Sequence, residues 1–247
     1  MQNSRIIMGM PITVAIADAQ FPSDIVEKVF AYFTHVDEKF STYKPNSEIS
    51  KFNKGIILPD AFSQEMKEVF ELSEKTKQET NGYFDIQRAD GTYDPSGLVK
   101  GWAVQNAAQM MRAHGVKNFY VEAGGDIQVS GKNAEGQLWR VGIRNPFNEQ
   151  EIIKVLQLEN CGIATSGTYV RGDHIYNPHA RQEKISDIVS MTVVASNVYE
   201  ADRFATAAFA MGKNGIAFIG TQADCEGYMV ATDGTAVFTD GFSRYVI

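Results

Sequence analysis

Long apolar runs are missing from this chain of 247 residues: none approaches the ~20 residues that cross a bilayer. Its start, Met1-Gln-Asn-Ser-Arg-Ile-Ile-Met8, also lacks the apolar stretch of a signal peptide, so no membrane span and a cytoplasmic location are expected. Cysteine is scarce. The two present, Cys161 and Cys225, have no CxxC spacing, which excludes a readable zinc or redox motif, and two buried, inert thiols are expected in preference to a disulfide. No Lys/Arg run occurs and the formal net charge is −7, so the overall field opposes a phosphate backbone and excludes nucleic acid as a partner. An anionic ligand would need local neutralisation, for which a divalent cation is the obvious agent in an acidic protein. Proline is sparse, at 7 residues against 21 glycines, which argues for a folded chain with many tight turns. No Gly-x-Ser-x-Gly is present, and neither Thr165 nor Ser166 has an identifiable base with an orienting acid, so a serine hydrolase is not indicated.

What is present is the makeup of a globular protein, with 44% hydrophobic and 21% charged residues, and one domain over 1–247 is the default. Residues 12–17 read as a strand. From Ser23, placed as an N-cap, the positions Ile25, Val26, Val29, Phe30, Phe33, Val36 and Phe40 share one helical face. Residues 40–50 break that pattern with small polar residues and Pro45, and read as a surface loop. Further helices are predicted over 63–79, ended by Asn81-Gly82, over about 99–113, stopped by Gly115, and over about 199–211, stopped by Gly212. Strand-like runs lie at 116–122, 138–143, 152–158, 190–196, 227–231 and 235–239, with Asp233-Gly234 signalling a hairpin between the last two. Helices interrupt runs of strands without alternating strictly, so the fold class is α+β and not a doubly wound parallel sheet.

Four constellations carry chemistry. Asp202 and Thr206 stand at i, i+4 on a predicted helix, stacking a carboxylate and a hydroxyl on one face. Two hard oxygens so placed could hold Mg2+, although the spacing alone matches a solvated aspartate beside a threonine bonded back to its helix better. Asp94-Pro-Ser-Gly97-Leu-Val-Lys100 lies where an extended segment turns into a helix; Gly97 can offer its carbonyl to a metal and Lys100 can reach a phosphate. An ordinary loop with a helix-flanking lysine fits equally. Gly124-Gly125-Asp126 marks either a tight turn or backbone laid against a flat ligand, and the turn is the commoner reading. Thr165-Ser166-Gly167, followed by His174-Ile-Tyr-Asn177-Pro178, joins hydroxyls to one histidine that could accept a proton or be merely structural.

Each block is weak alone; their order is not. Met8-Gly9, Phe40-Ser-Thr-Tyr43 with Ser47-Glu-Ile-Ser-Lys-Phe-Asn53, Thr80-Asn-Gly-Tyr-Phe-Asp85, Lys100-Gly-Trp-Ala103, Gly124-Gly-Asp126, Thr165-Ser-Gly167, His174 with Asn177-Pro178, and Ala201-Asp202 with Thr206 together resemble the ApbE family, the FAD:protein FMN transferases. The resemblance implies a T-fold-like α+β arrangement of largely antiparallel sheets flanked by helices, with FAD in a cleft. It implies Mg2+ on Asp202, Thr206 and the carbonyl of Gly97. It also implies FAD contacts from Met8, Tyr43, Asp94 and Lys100, with the Gly124-Gly125-Asp126 turn and the Thr165-Ser166 loop nearby. The implied reaction moves FMN from FAD to a threonine or serine hydroxyl of an acceptor flavoprotein and releases AMP. Asp202 and Lys100 would serve the chemistry, and His174 would touch the cofactor and take the hydroxyl proton. Alternatives are hydrolysis of FAD to FMN and AMP, or FAD binding without catalysis. Two departures stand out: Asn177-Pro178 is followed by His179-Ala-Arg-Gln where many members carry Thr-Gly, and the segment between Asp85 and Asp94 is shorter than in many members. With no lipoprotein-type leader, these suggest a compact intracellular branch.

Overall fold

The computed structural model describes residues 1–167, 175–180 and 182–247. Among them, eight strands form one sheet: β1 (Gln2–Ile7), β2 (Met10–Ile16), β3 (Phe119–Ala123), β4 (Asp126–Ser130), β7 (Gly162–Gly167), β8 (Ile188–Ala195), β9 (Glu226–Ala231) and β10 (Ala236–Phe238), in that spatial order. Every neighbouring pair is antiparallel. The remaining strands, β5 (Trp139–Asn145) and β6 (Asn148–Leu158), make a separate antiparallel hairpin. The fold is therefore α+β with antiparallel sheets, as the interrupted order of helices and strands predicts.

Alternation sends the two faces of the sheet to different partners. Ile12, Val14, Phe119 and Val121 pack with α1 (Ile25–Phe40), α3 (Gln64–Glu79) and α4 (Ser96–Ala113). Ala164, Met191, Val193 and Met229 pack with α5 (Val198–Ala210) and α6 (Gly215–Thr221). Their neighbours Ile163, Val194 and Val230 face the other way, against Ile143, Leu156 and Leu158 of the hairpin. No helix among the described residues is long and apolar enough to cross a membrane. Cys161 and Cys225 are free and buried, and burial pushes their thiols up to about 11 and about 12.

Several expectations are corrected. The first helix starts one residue later than drawn: Asp24 precedes it, Ser23 does not cap it, and no side-chain cap forms. Residues 40–50 are not wholly loop, because Ser47 accepts from the Ser50 N–H at 3.1 Å and opens α2 (Glu48–Asn53), burying Ile49. Met8-Gly9 does not precede the first strand. It forms the turn joining β1 to β2, with φ of 57° and 71°. Thr165-Ser166-Gly167 is the end of β7 inside the sheet, not a loop. The polar, mostly exposed β1 sits at the sheet edge, where no hydrophobic alternation exists to reveal it.

Candidate active site

α4 and α5 cross where both carry small residues. An ideal Cβ on Gly101 would lie 2.6 Å from Asp202 Cβ and 2.9 Å from the Val198 carbonyl oxygen, and one on Gly97 would lie 3.2 Å from Thr206 Cγ2. Glycine is needed there for the helices to meet. α4 begins earlier than predicted, at Ser96, because Asp94 Oδ1 accepts the Ser96 N–H at 3.1 Å and satisfies one orphan donor of the first turn. This places Gly97 and Lys100 within the first two turns of the helix.

The contact between the helices is polar at its centre. Asp202, 2% exposed, accepts the Gly101 N–H on Oδ2 at 2.7 Å. In a regular helix that N–H would point to the Gly97 carbonyl, so the carboxylate competes for the donor. Gly97 O accepts from Thr206 Oγ1 at 3.3 Å, and Ser166 Oγ lies 3.4 Å from the same hydroxyl. Lys100 Nζ is 2.7 Å from Asp126 Oδ2 and 3.9 Å from Asp202 Oδ1. Asp126 is itself 1% exposed and accepts the Thr165 N–H at 3.3 Å. Burial, and then the charge of Asp126, raise the Asp202 carboxyl to about 8, against the pull of Lys100 and the Gly101 N–H.

Gly124 and Gly125 form the β3–β4 turn with φ of 55° and 97°, between the paired Ala123 and Asp126. That turn aims Asp126 inward. A Cβ on Gly124 would fall 2.8 Å from Met10 Sδ, a side-chain end that can shift, so it is the left-handed φ that requires glycine.

These groups open on a cleft of about 960 Å³, counting its mouth. Of the residues singled out from the sequence, Asp94, Gly97, Lys100, Gly124, Thr165, Ser166, Asp202 and Thr206 line it. Asp126 stands behind Lys100. Tyr43 is 94% exposed and Met8 packs against the core cluster of the α1 side; neither is among the lining residues, nor is Gly125. His174 lies outside the described residues.

A further stretch of the cleft was not anticipated from individual residues. Tyr83, Phe84, Asp85, Ile86 and Arg88 line it. Asn53 holds this segment by accepting the Tyr93 N–H at 2.8 Å and donating to the Tyr93 carbonyl at 2.9 Å, and Gln87 pairs with Tyr93 across the short loop. Arg88 ion-pairs with Asp94 at the mouth. Asn53 and the 80–85 segment both fall in motif blocks, which is the signal that could have found them.

The donor set has a definite preference. Among the described residues no three His, Cys, Asp or Glu side chains cluster as a metal group, so a cation here would rest on the Asp202 carboxylate and on neutral oxygens of Thr206 and Gly97. Such a set fits Mg2+, which keeps several waters and is commonly completed by substrate phosphates. Among the described residues, two buried carboxylates share one ammonium, so with Asp202 ionised the site would be short of positive charge that a cation could supply.

The ApbE family model matches residues 8–92 and 86–229. The chain belongs to the ApbE family. A Vibrio cholerae protein named FAD:protein FMN transferase is 32% identical over 162 residues, covering 62% of this chain and 47% of its own length. The chain thus spans about half the length of that relative. The Escherichia coli K12 protein of the same name is 23% identical over 90% of this chain and 81% of itself. In fold, this ApbE chain superimposes on the V. cholerae flavin transferase ApbE with a TM-score of 0.85 at 23% identity, covering 99% and 98% of the two chains.

Proposed function

We propose that this chain transfers FMN from FAD to the hydroxyl of a threonine or serine in an acceptor flavoprotein and releases AMP. One observation carries the reading: Asp202 and Thr206 of α5 and Gly97 and Lys100 of α4 meet in a single cleft that the Gly124 turn and the end of β7 also line. The relatives named FAD:protein FMN transferase support it.

The reaction is a substitution at phosphorus, in which the acceptor oxygen forms a new P–O bond as the bond to AMP breaks in line. Mg2+, held by Asp202, Thr206 and the Gly97 carbonyl, would neutralise charge on the pyrophosphate. Lys100 adds a further positive charge, and Asp126 keeps its ammonium in place. Ser166 offers a hydroxyl beside that of Thr206, while Thr165 lines the cleft with its own hydroxyl bonded to Thr192. Proton removal from the acceptor hydroxyl is assigned to His174, and a cytoplasmic setting belongs to the same reading.

Incubation with FAD, Mg2+ and a candidate acceptor tests it. AMP release together with an FMN mass on the acceptor is expected. AMP release with no added mass would replace transfer by FAD hydrolysis, and FAD binding without AMP release would leave a binding protein.

A further inference from the structure

Two segments supply lining residues to the cleft: Tyr83, Phe84, Asp85, Ile86 and Arg88 from one, and Ile175, Tyr176 and Pro178 from the other. Side chains of the second segment reach backbone carbonyls of the first. Tyr176 Oη lies 3.2 Å from the Asp85 carbonyl oxygen and 3.1 Å from that of Gln87, so its hydroxyl donates to both as a shared bond. His179 Nε2 lies 2.9 Å from the carbonyl oxygen of Asn81.

The seat for His179 is built into the end of α3. Past Thr80 the chain turns through the left-handed region at Asn81 and Gly82, with φ of 51° and 81°. That geometry leaves the Asn81 carbonyl outside the helix, in need of a donor. His179 lies over Gly82, where a Cβ would come 3.3 Å from its Cε1. Its ring meets that of Tyr83 edge-on with centroids 4.6 Å apart. Its own loop is folded tightly, since the His179 N–H donates to Asn177 Oδ1 at 2.9 Å and the Ala180 N–H to the Asn177 carbonyl at 3.0 Å.

We infer that His179 and Tyr176 are positioning residues that staple these two segments to each other and so set the shape of the cleft open to a dinucleotide substrate, with His179 acting as an Nε2–H donor to the Asn81 carbonyl. Neither needs to touch the reacting atoms. Both bind backbone carbonyls of the 81–87 segment, so losing either bond frees one segment relative to the other. The substrate class rests on the transferase reading above.

Two steady-state constants for AMP release from FAD, with direct FAD binding followed by flavin fluorescence and a thermal melt, test the staple in His179→Ala, His179→Gln and Tyr176→Phe. Loss of one net hydrogen bond predicts a KM and a Kd for FAD raised about 5-fold in H179A and Y176F, with kcat within about 2-fold and the melting temperature little changed. H179Q keeps an N–H donor of similar reach and should return both constants to within about 2-fold of wild type. Unchanged KM and Kd in H179A, a fall in kcat at constant KM, or no rescue in H179Q would each overturn the staple. Failure of the wild-type protein to bind FAD would instead overturn the transferase reading on which it rests.

Discussion

The N–H of Gly101 donates to Asp202 Oδ2 at 2.7 Å, and a Cβ on the same glycine would come 2.6 Å from Asp202 Cβ. One residue without a side chain thus both orients the buried carboxylate and lets α5 approach α4. Gly101→Ala should destabilise the fold by about 1–3 kcal/mol through overpacking. That exceeds the ~1 kcal/mol that replacing a helical glycine gains. Urea denaturation reads the loss, and a Mg2+ titration of the variant should show weaker binding. A variant as stable as wild type would mean that the helices can part without cost.

Asp202 gives a pH signature. Its carboxyl rises from 3.8 to about 8 because of burial and the charge of Asp126. Without metal, the folded protein keeps a proton that the unfolded chain releases. The stability from this group is complete below about pH 3.8 and is lost as the pH climbs toward 8. Metal-free Asp202→Asn should therefore match wild type only below about pH 3.8, and should melt at an increasingly higher temperature than wild type as the pH rises toward 8. Mg2+ should raise the wild-type melting temperature more at pH 8 than at pH 6 and leave D202N unmoved. An equal Mg2+ response at both pH values would contradict the carboxylate's part in metal binding.

Thr206 is separable from folding. Its hydroxyl meets the Gly97 carbonyl at 3.3 Å, and Thr206→Val conserves shape while removing the oxygen. Mg2+ affinity, measured by the metal dependence of AMP release, should fall about 10- to 100-fold, with a near-wild-type melt. Unchanged metal dependence in T206V would remove Thr206 from the ligand set.

Arg203, next to Asp202, does structural work only. Its guanidinium pairs with Glu79 of α3 and Glu200, lies 3.4 Å from Thr76 Oγ1, and stacks 3.9 Å over the Phe204 ring. Both glutamates keep some solvent exposure, which limits the penalty of stranding them. Arg203→Ala is expected to cost about 2–3 kcal/mol, visible as a lower urea midpoint, with KM for FAD unchanged in the folded fraction.

The cysteines should be inert. Thiols pushed up to about 11 and about 12 and shielded by burial expose almost no thiolate. Iodoacetamide at pH 8 should add no mass to the native protein and two labels after denaturation. Rapid native labelling would show that β7 or β9 opens locally.

Much of the framework was legible along the chain. The seven apolar positions from Ile25 to Phe40 are all buried in α1, α3 lies within one residue of the helix read over 63–79, and Gly212 ends α5 with a φ of 61°. Local rules suffice in those places because helix periodicity, caps and left-handed glycines are properties of a few neighbouring residues. They fail at β1, whose polar face borders solvent, and at β7, where Thr165 and Ser166 look like a loop until β8 pairs with them.

The site divides the same way. Local spacing tells which oxygens share a helical face, Asp202 with Thr206, and which backbone points lack a side chain, Gly97, Gly101 and Gly124. The ordered blocks that place the chain in its family are read from the sequence as well. It takes the folded chain to set Gly97 against Thr206 across 109 positions, to bring Asp126 rather than solvent to Lys100, and to have Asn53 and Tyr176 hold the 85–93 segment. Such pairings join residues far apart in sequence. They arise when the sheet's register and the α4–α5 crossing bring the segments together, and no local spacing encodes that distance.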